Sequence, residues 1–175
     1  MSQDLWILDD EPIEVSFDTK GYSWFKATSG GLGDPSEAFL RLIAVKQDEQ
    51  IVIQTIPDLA GRVIIRSPEE ALEFVRLFTS VATHYLFPDS QYLEAREADN
   101  GPGAGEYSKT YGEEMNLKPP VARHEGDVFL LDRTLVNRKG KLLRGKEQVS
   151  RDGGYELLEA VVIDERTPVI YPLYQ

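Results

Sequence analysis

The sequence predicts an α+β fold, with a mostly antiparallel sheet of about six to eight strands packed on one long central helix over 67–85 and a long irregular loop over 86–126. Three observations carry this. Ser67–Tyr85, SPEEALEFVRLFTSVATHY, holds the clearest helical period in the chain. Runs of β-branched and apolar residues, divided by short polar turns, lie on either side of it. From Leu86 to Gly126 periodicity largely disappears. The order strands, helix, loop, strands suits a helix laid on one face of an antiparallel sheet.

The helix is the best-marked element. Ser67 suits the N-cap, Pro68 the first helical position, and Glu70 completes an S-x-x-E capping box. Ala71, Phe74, Val75, Phe78, Val81, Ala82 and Tyr85 recur at three- and four-residue spacing and form one apolar stripe. Leu72 and Leu77 fall off that stripe, so a second face is expected to be covered. Pro88 stops the element.

Ahead of the helix, residues 1–12 read as a loosely ordered arm from which Trp6, Ile7 and Leu8 can dock. Ile13–Phe17 alternates apolar and polar, and Tyr22–Thr28 reads as its return strand, so a first hairpin is expected around the turn Asp18–Gly21, with Gly21 at positive φ. Ser29–Ser36 is a glycine-rich connection without the Gly-Lys-Ser/Thr ending of a phosphate-binding loop and without G-x-G-x-x-G. Phe39–Val45 and Ile51–Ile56 flank the polar turn Lys46–Gln50 as a second hairpin. Their nearly continuous apolar character predicts strands covered on both faces. Arg62–Arg66 is a short strand or an extended lead into the helix.

Beyond the helix, the segment 86–126 is too long for a simple connection, and loops of that length tend to be functional or to hide structure of their own. Gln91–Ala98 reads as a short helix, and Tyr107, Tyr111 and Met115 as anchors. Asp127–Val136, Leu142–Val149 and Tyr155–Ile163 are three strands joined by the turns Asn137–Gly140 and Ser150–Gly154, an antiparallel meander. Thr167–Pro172 is an extended tail whose prolines allow only an edge position.

The chain of 175 residues, 41% hydrophobic and 28% charged, fits one domain, 1–175. No apolar run approaches the ~18 residues of a membrane span. MSQDLWILDDEP has no basic region ahead of an apolar core, so no secretory signal is expected. The absence of cysteine excludes disulfides, thiolate metal sites and a cysteine nucleophile, and it agrees with a cytoplasmic location. Thirty acidic residues against nineteen basic ones give a net charge of −11, which repels nucleic acid and anionic lipid. The cluster Arg133, Arg138, Lys139, Lys141, Arg144, Lys146 and Arg151 reads as the solvent face of a hairpin, or else as a local site for an acidic group.

Candidates for chemistry are few. His84 ends the helix, where the helix dipole favours its charged form, and His124 follows Pro119-Pro120 in the loop. Neither has the spacing of a zinc site, and there is no G-x-S-x-G elbow. The acids Glu94, Glu97, Asp99, Glu106, Glu113 and Glu114 crowd the loop without the spacing of a calcium-binding loop. No catalytic, cofactor or metal residue is therefore assigned, and no cofactor is expected.

Two function classes follow. The first is a non-catalytic binding module, immunity-, inhibitor- or adaptor-like, acting on a protein partner, a basic one by charge. The second is a small enzyme or ligand carrier with a pocket between sheet and helix, roofed by 86–126. The missing motifs favour the first. Its expected contact residues are Tyr107, Tyr111, His124, Arg138 and Lys139. Nucleic acid and membrane are not expected as partners, and a homo-oligomer is compatible with this reading.

Overall fold

The structure, a computed structural model, describes residues 6–8, 11–29, 40–47, 49–53, 56–81, 85–86, 113–137 and 141–165. The fold is α+β with antiparallel pairing, but it holds two sheets rather than one. In the first, β1 (Trp6–Leu8), β2 (Ser23–Ser29), β3 (Leu40–Lys46) and β4 (Glu49–Ile53) lie in sequence order. After a 3-10 turn (Ile56–Leu59) comes α1 (Pro68–Val81). The second sheet holds β5 (Tyr85–Leu86), β6 (Val121–Glu125), β7 (Val128–Asn137), β8 (Leu142–Ser150) and β9 (Tyr155–Asp164). Its order is β5-β7-β8-β9, with β6 also paired to β7. Nine strands are thus found among the described residues, against the six to eight expected.

α1 begins as its sequence dictates. The Ser67 hydroxyl accepts from the Glu70 amide at 3.2 Å, and the Glu70 carboxylate reaches back to the Arg66 amide at 2.6 Å, one residue beyond the usual box partner. Ala71, Phe74 and Val75 are buried, and Leu72 and Leu77 are half-buried against the same core, so the second face is covered as expected. The helix is shorter than expected. It spans 14 residues and ends at Val81, because the chain then joins the second sheet, where Tyr85 and Leu86 pair with Asn137 and Val136.

The expected first hairpin does not form. β3 takes one edge of β2, and β1 takes the other over Ala27–Ser29. Ile13–Phe17 is tied to β2 by a bond from the Ile13 amide to the Trp24 carbonyl. The Ser16 amide instead donates to the Glu73 carboxylate on α1, and Asp18 pairs with Ile64. The turn itself is right. Lys20 and Gly21 both have positive φ, 51° and 84°, and the Tyr22 amide closes it on the Thr19 carbonyl at 3.0 Å. The second hairpin forms as predicted but with a tighter turn: Lys46, Glu49 and Gln50 join the strands, Lys46 stands opposite Glu49, and β4 ends at Ile53.

One core joins both sheets to the helix. Trp24, Ala44 and Ile53 from the first sheet meet Phe74 and Val75 of α1 and Phe129, Leu131 and Val149 of the second. Residues 59–66 tie the layers together. The Gly61 and Ile65 amides donate to the Asp152 and Arg151 carbonyls, each at 2.7 Å, while Asp18 and Ile64 exchange two backbone bonds. Gly153 closes the β8–β9 turn at φ 88°, and a Cβ there would stand 2.5 Å from Val63 Cγ2. The meander β7–β9 matches its prediction within two residues at each end. The long loop does not remain irregular throughout, since β6 occupies Val121–Glu125 and turns into β7 through Gly126 (φ 61°) and Asp127. Gln91–Ala98, Thr167–Pro172 and residues 30–36 of the glycine-rich connection lie outside the described residues.

Candidate partner surface

Of the five expected contact residues, Tyr107, Tyr111, Arg138 and Lys139 lie outside the described residues, as does His84. His124 is described. It is exposed on β6, with its ring 5.1 Å from that of Phe129 and its Nε2 3.2 Å from an Arg151 guanidinium nitrogen. That contact ties β6 to the β8–β9 turn.

The described members of the basic cluster do not share one face. Residues 129, 131 and 133 of β7 share a face by the period of two, and that face points into the core. Arg133 is therefore buried beside Leu131. It donates through Nε and an Nη to the two oxygens of Glu147 on β8, in a bidentate pair with both side chains almost fully enclosed. Tyr155 donates its hydroxyl to the same carboxylate at 2.7 Å. Gly145 stands opposite Arg133 in the register and leaves room for the guanidinium.

The other face of this sheet is exposed and carries alternating charge. Arg123 on β6 pairs with Asp132 on β7 at 3.1 Å, and Lys146 on β8 pairs with Glu159 on β9 at 2.7 Å. Asp132 stands opposite Lys146, so a row of plus, minus, plus, minus crosses four strands. The Glu159 carboxylate holds the Lys146 ammonium above its ordinary pKa, with a smaller contribution from Asp132. Lys141 pairs with Glu165 at 2.6 Å. Among the described cations of the expected patch, Arg133 is buried and Lys141 and Lys146 face acids, while Arg144, opposite Val161, and Arg151, beside His124, are exposed.

The exposed apolar residues of β9, not the strand itself, are the feature that sequence reasoning missed. It is the last strand in the sheet order, and Leu158, Val161 and Val162 on it are 48%, 49% and 41% exposed. Glu159 pairs with Lys146 and Leu157 with Glu147, so Leu158 is the extra residue of a bulge. The available signal was the doubled apolar steps Leu157-Leu158 and Val161-Val162, which break the alternation that β8 keeps.

A shallow hollow of about 420 Å³ opens beside the β3–β4 turn, lined by Tyr22, Lys46, Gln47 and Glu49. It is not the expected pocket between sheet and helix. Its polar groups are engaged with one another or with the backbone: Tyr22 donates to Glu49 at 3.0 Å, and Lys46 donates to the Lys20 carbonyl at 2.8 Å. Among the described residues, no group of three or more acidic or histidine side chains is placed to hold a metal. No protein-family model, curated protein or solved structure matches this chain.

Proposed function

We propose that the chain is a single-domain, cytoplasmic, non-catalytic binding module, in the manner of an immunity protein, inhibitor or adaptor, and that it holds a basic protein partner. The observation that carries this reading is that three of the seven cations of the basic cluster are drawn into ion pairs with acids. Arg133 is enclosed with Glu147, and Lys141 and Lys146 each face a carboxylate. That cluster was the feature of the sequence that argued for an anionic ligand. With it divided, the net charge of −11 governs the long-range field, and such a field draws cationic surfaces and raises their association rate.

Affinity capture from native extract at low and at high salt tests this. A stoichiometric basic protein that is retained at low salt and released at high salt supports the reading. A copurifying small molecule, or duplex DNA bound at micromolar concentration in a steeply salt-sensitive way, on the order seen for non-specific DNA-binding proteins, overturns it.

A further inference from the structure

We propose that the free edge of β9 is where this partner docks, by adding an extended segment of alternating apolar and cationic residues to the second sheet as a further strand. The inference rests on the reading of the chain as a binder of a basic protein. β9 ends the sheet order, and its outer edge is unpaired among the described residues. Such an edge offers a row of amide and carbonyl groups to an incoming strand. Three of the four most exposed large apolar side chains among the described residues fall within Leu158–Val162. They serve both sides of the edge. Val161 stands opposite Arg144 on the outer face, and Val162 stands opposite Leu143 on the face that also carries Glu147. The bulge sets Leu158 between them. An added strand sends alternate side chains to the two faces, so apolar contacts await it on each.

Charge selects the occupant. Residues 155–165 carry four carboxylates, Glu156, Glu159, Asp164 and Glu165, and no lysine or arginine; Glu159 and Glu165 also face Lys146 and Lys141, so the strand itself stays net negative while its neighbours share part of that charge. A second copy paired on this edge would set those carboxylates against each other, which is unfavourable across strands. A cationic strand would meet them with opposite charge.

The test uses fluorescent probes of about ten residues, one alternating lysine and valine and one with proline in place of each valine, which keeps the charge and removes half of the strand donors. Wild type should bind the lysine–valine probe about tenfold more tightly than the lysine–proline probe. L158N/V161N should weaken the first by about tenfold, and V121N, equally exposed but on β6, should leave it within about twofold. If the double variant does not fold by circular dichroism, V161T supplies the same comparison. Equal binding of both probes, or equal binding by all variants, overturns the β9 site and leaves the basic-partner reading standing. If neither probe binds at low salt, the β9 site is overturned, and recovery of a salt-sensitive basic protein in the capture experiment decides the wider reading separately. A dimer in sedimentation that L158N/V161N abolishes gives the edge to a second copy and overturns the proposal.

Discussion

The two sheets use the same antiparallel pairing and meet in one core, yet they treat solvent differently. In the first, Trp24 and Ala44 face the shared core, while Ile43 and Ala27 on the neighbouring register positions are also fully buried. In the second, Leu143, Glu147 and Val149 of β8 face inward, while Arg144 and Lys146 between them are exposed. A sheet covered on both faces is committed to packing. A sheet with one face and one edge open can present groups to a partner without losing its core. The difference is written in the strands: β3 reads LRLIAVK and is nearly all apolar after Arg41, while β8 reads LLRGKEQVS and alternates.

The largest effects should come from the shared core and from the covered face of the first sheet. Phe74 is 1% exposed and meets Phe17 edge-on at 5.6 Å between ring centroids. Phe74→Ala should cost about 3–5 kcal/mol, and Ile43→Ala about 2–5 kcal/mol. Urea denaturation checks both. A cost for Ile43→Ala near that of an exposed valine would break the contrast between the sheets.

The buried pair sharpens the contrast from the other side, because it puts two charges on the inner face of the sheet that is otherwise polar outside. Arg133→Leu alone leaves Glu147 enclosed without its cation and should cost about 3–5 kcal/mol. R133L/E147L removes both charges and should recover most of that loss in the same denaturation series. A double variant as unstable as the single one would mean that the pair is needed for the register of β7 on β8 rather than merely tolerated.

What was legible in the sequence was local. The start of α1 follows from Ser67, Pro68 and Glu70, and the β7–β9 strands follow from their turns and from alternation. What was not legible depended on contacts distant in the chain. Ile13–Phe17 alternates as a strand should, but its ladder is lost to Glu73 and Ile64, neither of which its own residues announce. β6 was hidden because VARHE carries little apolar signal, although the Gly126-Asp127 step before β7 was a hairpin sign. Arg133 was grouped with its charged neighbours, when the period of two already set it beside Phe129 and Leu131. The β9 surface was missed because a run such as LLEAVVI reads as buried, and only the sheet order shows that this strand is at an edge. Four of the five expected contact residues, Tyr107, Tyr111, Arg138 and Lys139, lie outside the described residues.

A smaller effect belongs to the helix that both sheets share. Ser67→Ala removes the acceptor for the Glu70 amide and should cost about 0.5–2 kcal/mol in a thermal melt, with Ser67→Asp recovering most of it. A loss as large as that of Phe74→Ala would show that Ser67 does more than cap.

The smallest effect lies within the second sheet and separates its β8–β9 turn from its outer face by pH. At the β8–β9 turn, the Ser150 hydroxyl and then the Gly154 and Asp152 amides hold the Asp152 carboxyl below its ordinary value of 3.8. A carboxyl depressed in the folded chain adds stability that is present above the unfolded value and is lost as pH falls through the folded one. Lys146, on the outer face, is raised, so its contribution is complete below its ordinary value of 10.5 and fades only as pH rises through the folded one. Acid sensitivity should therefore lie at the turn that clasps residues 59–66, and alkaline sensitivity at the charged row. Asp152→Asn keeps an acceptor for Ser150 but cannot titrate. Its melting temperature should fall slightly below wild type at neutral pH, and the gap should close as pH drops below about 3.8, the ordinary aspartate value. Lys146→Gln should show a gap at neutral pH that closes as pH rises above about 10.5, the ordinary lysine value, where the ammonium facing Glu159 is lost. An Asp152→Asn gap that is constant from neutral to acid would place its effect in packing at the turn, not in the charge.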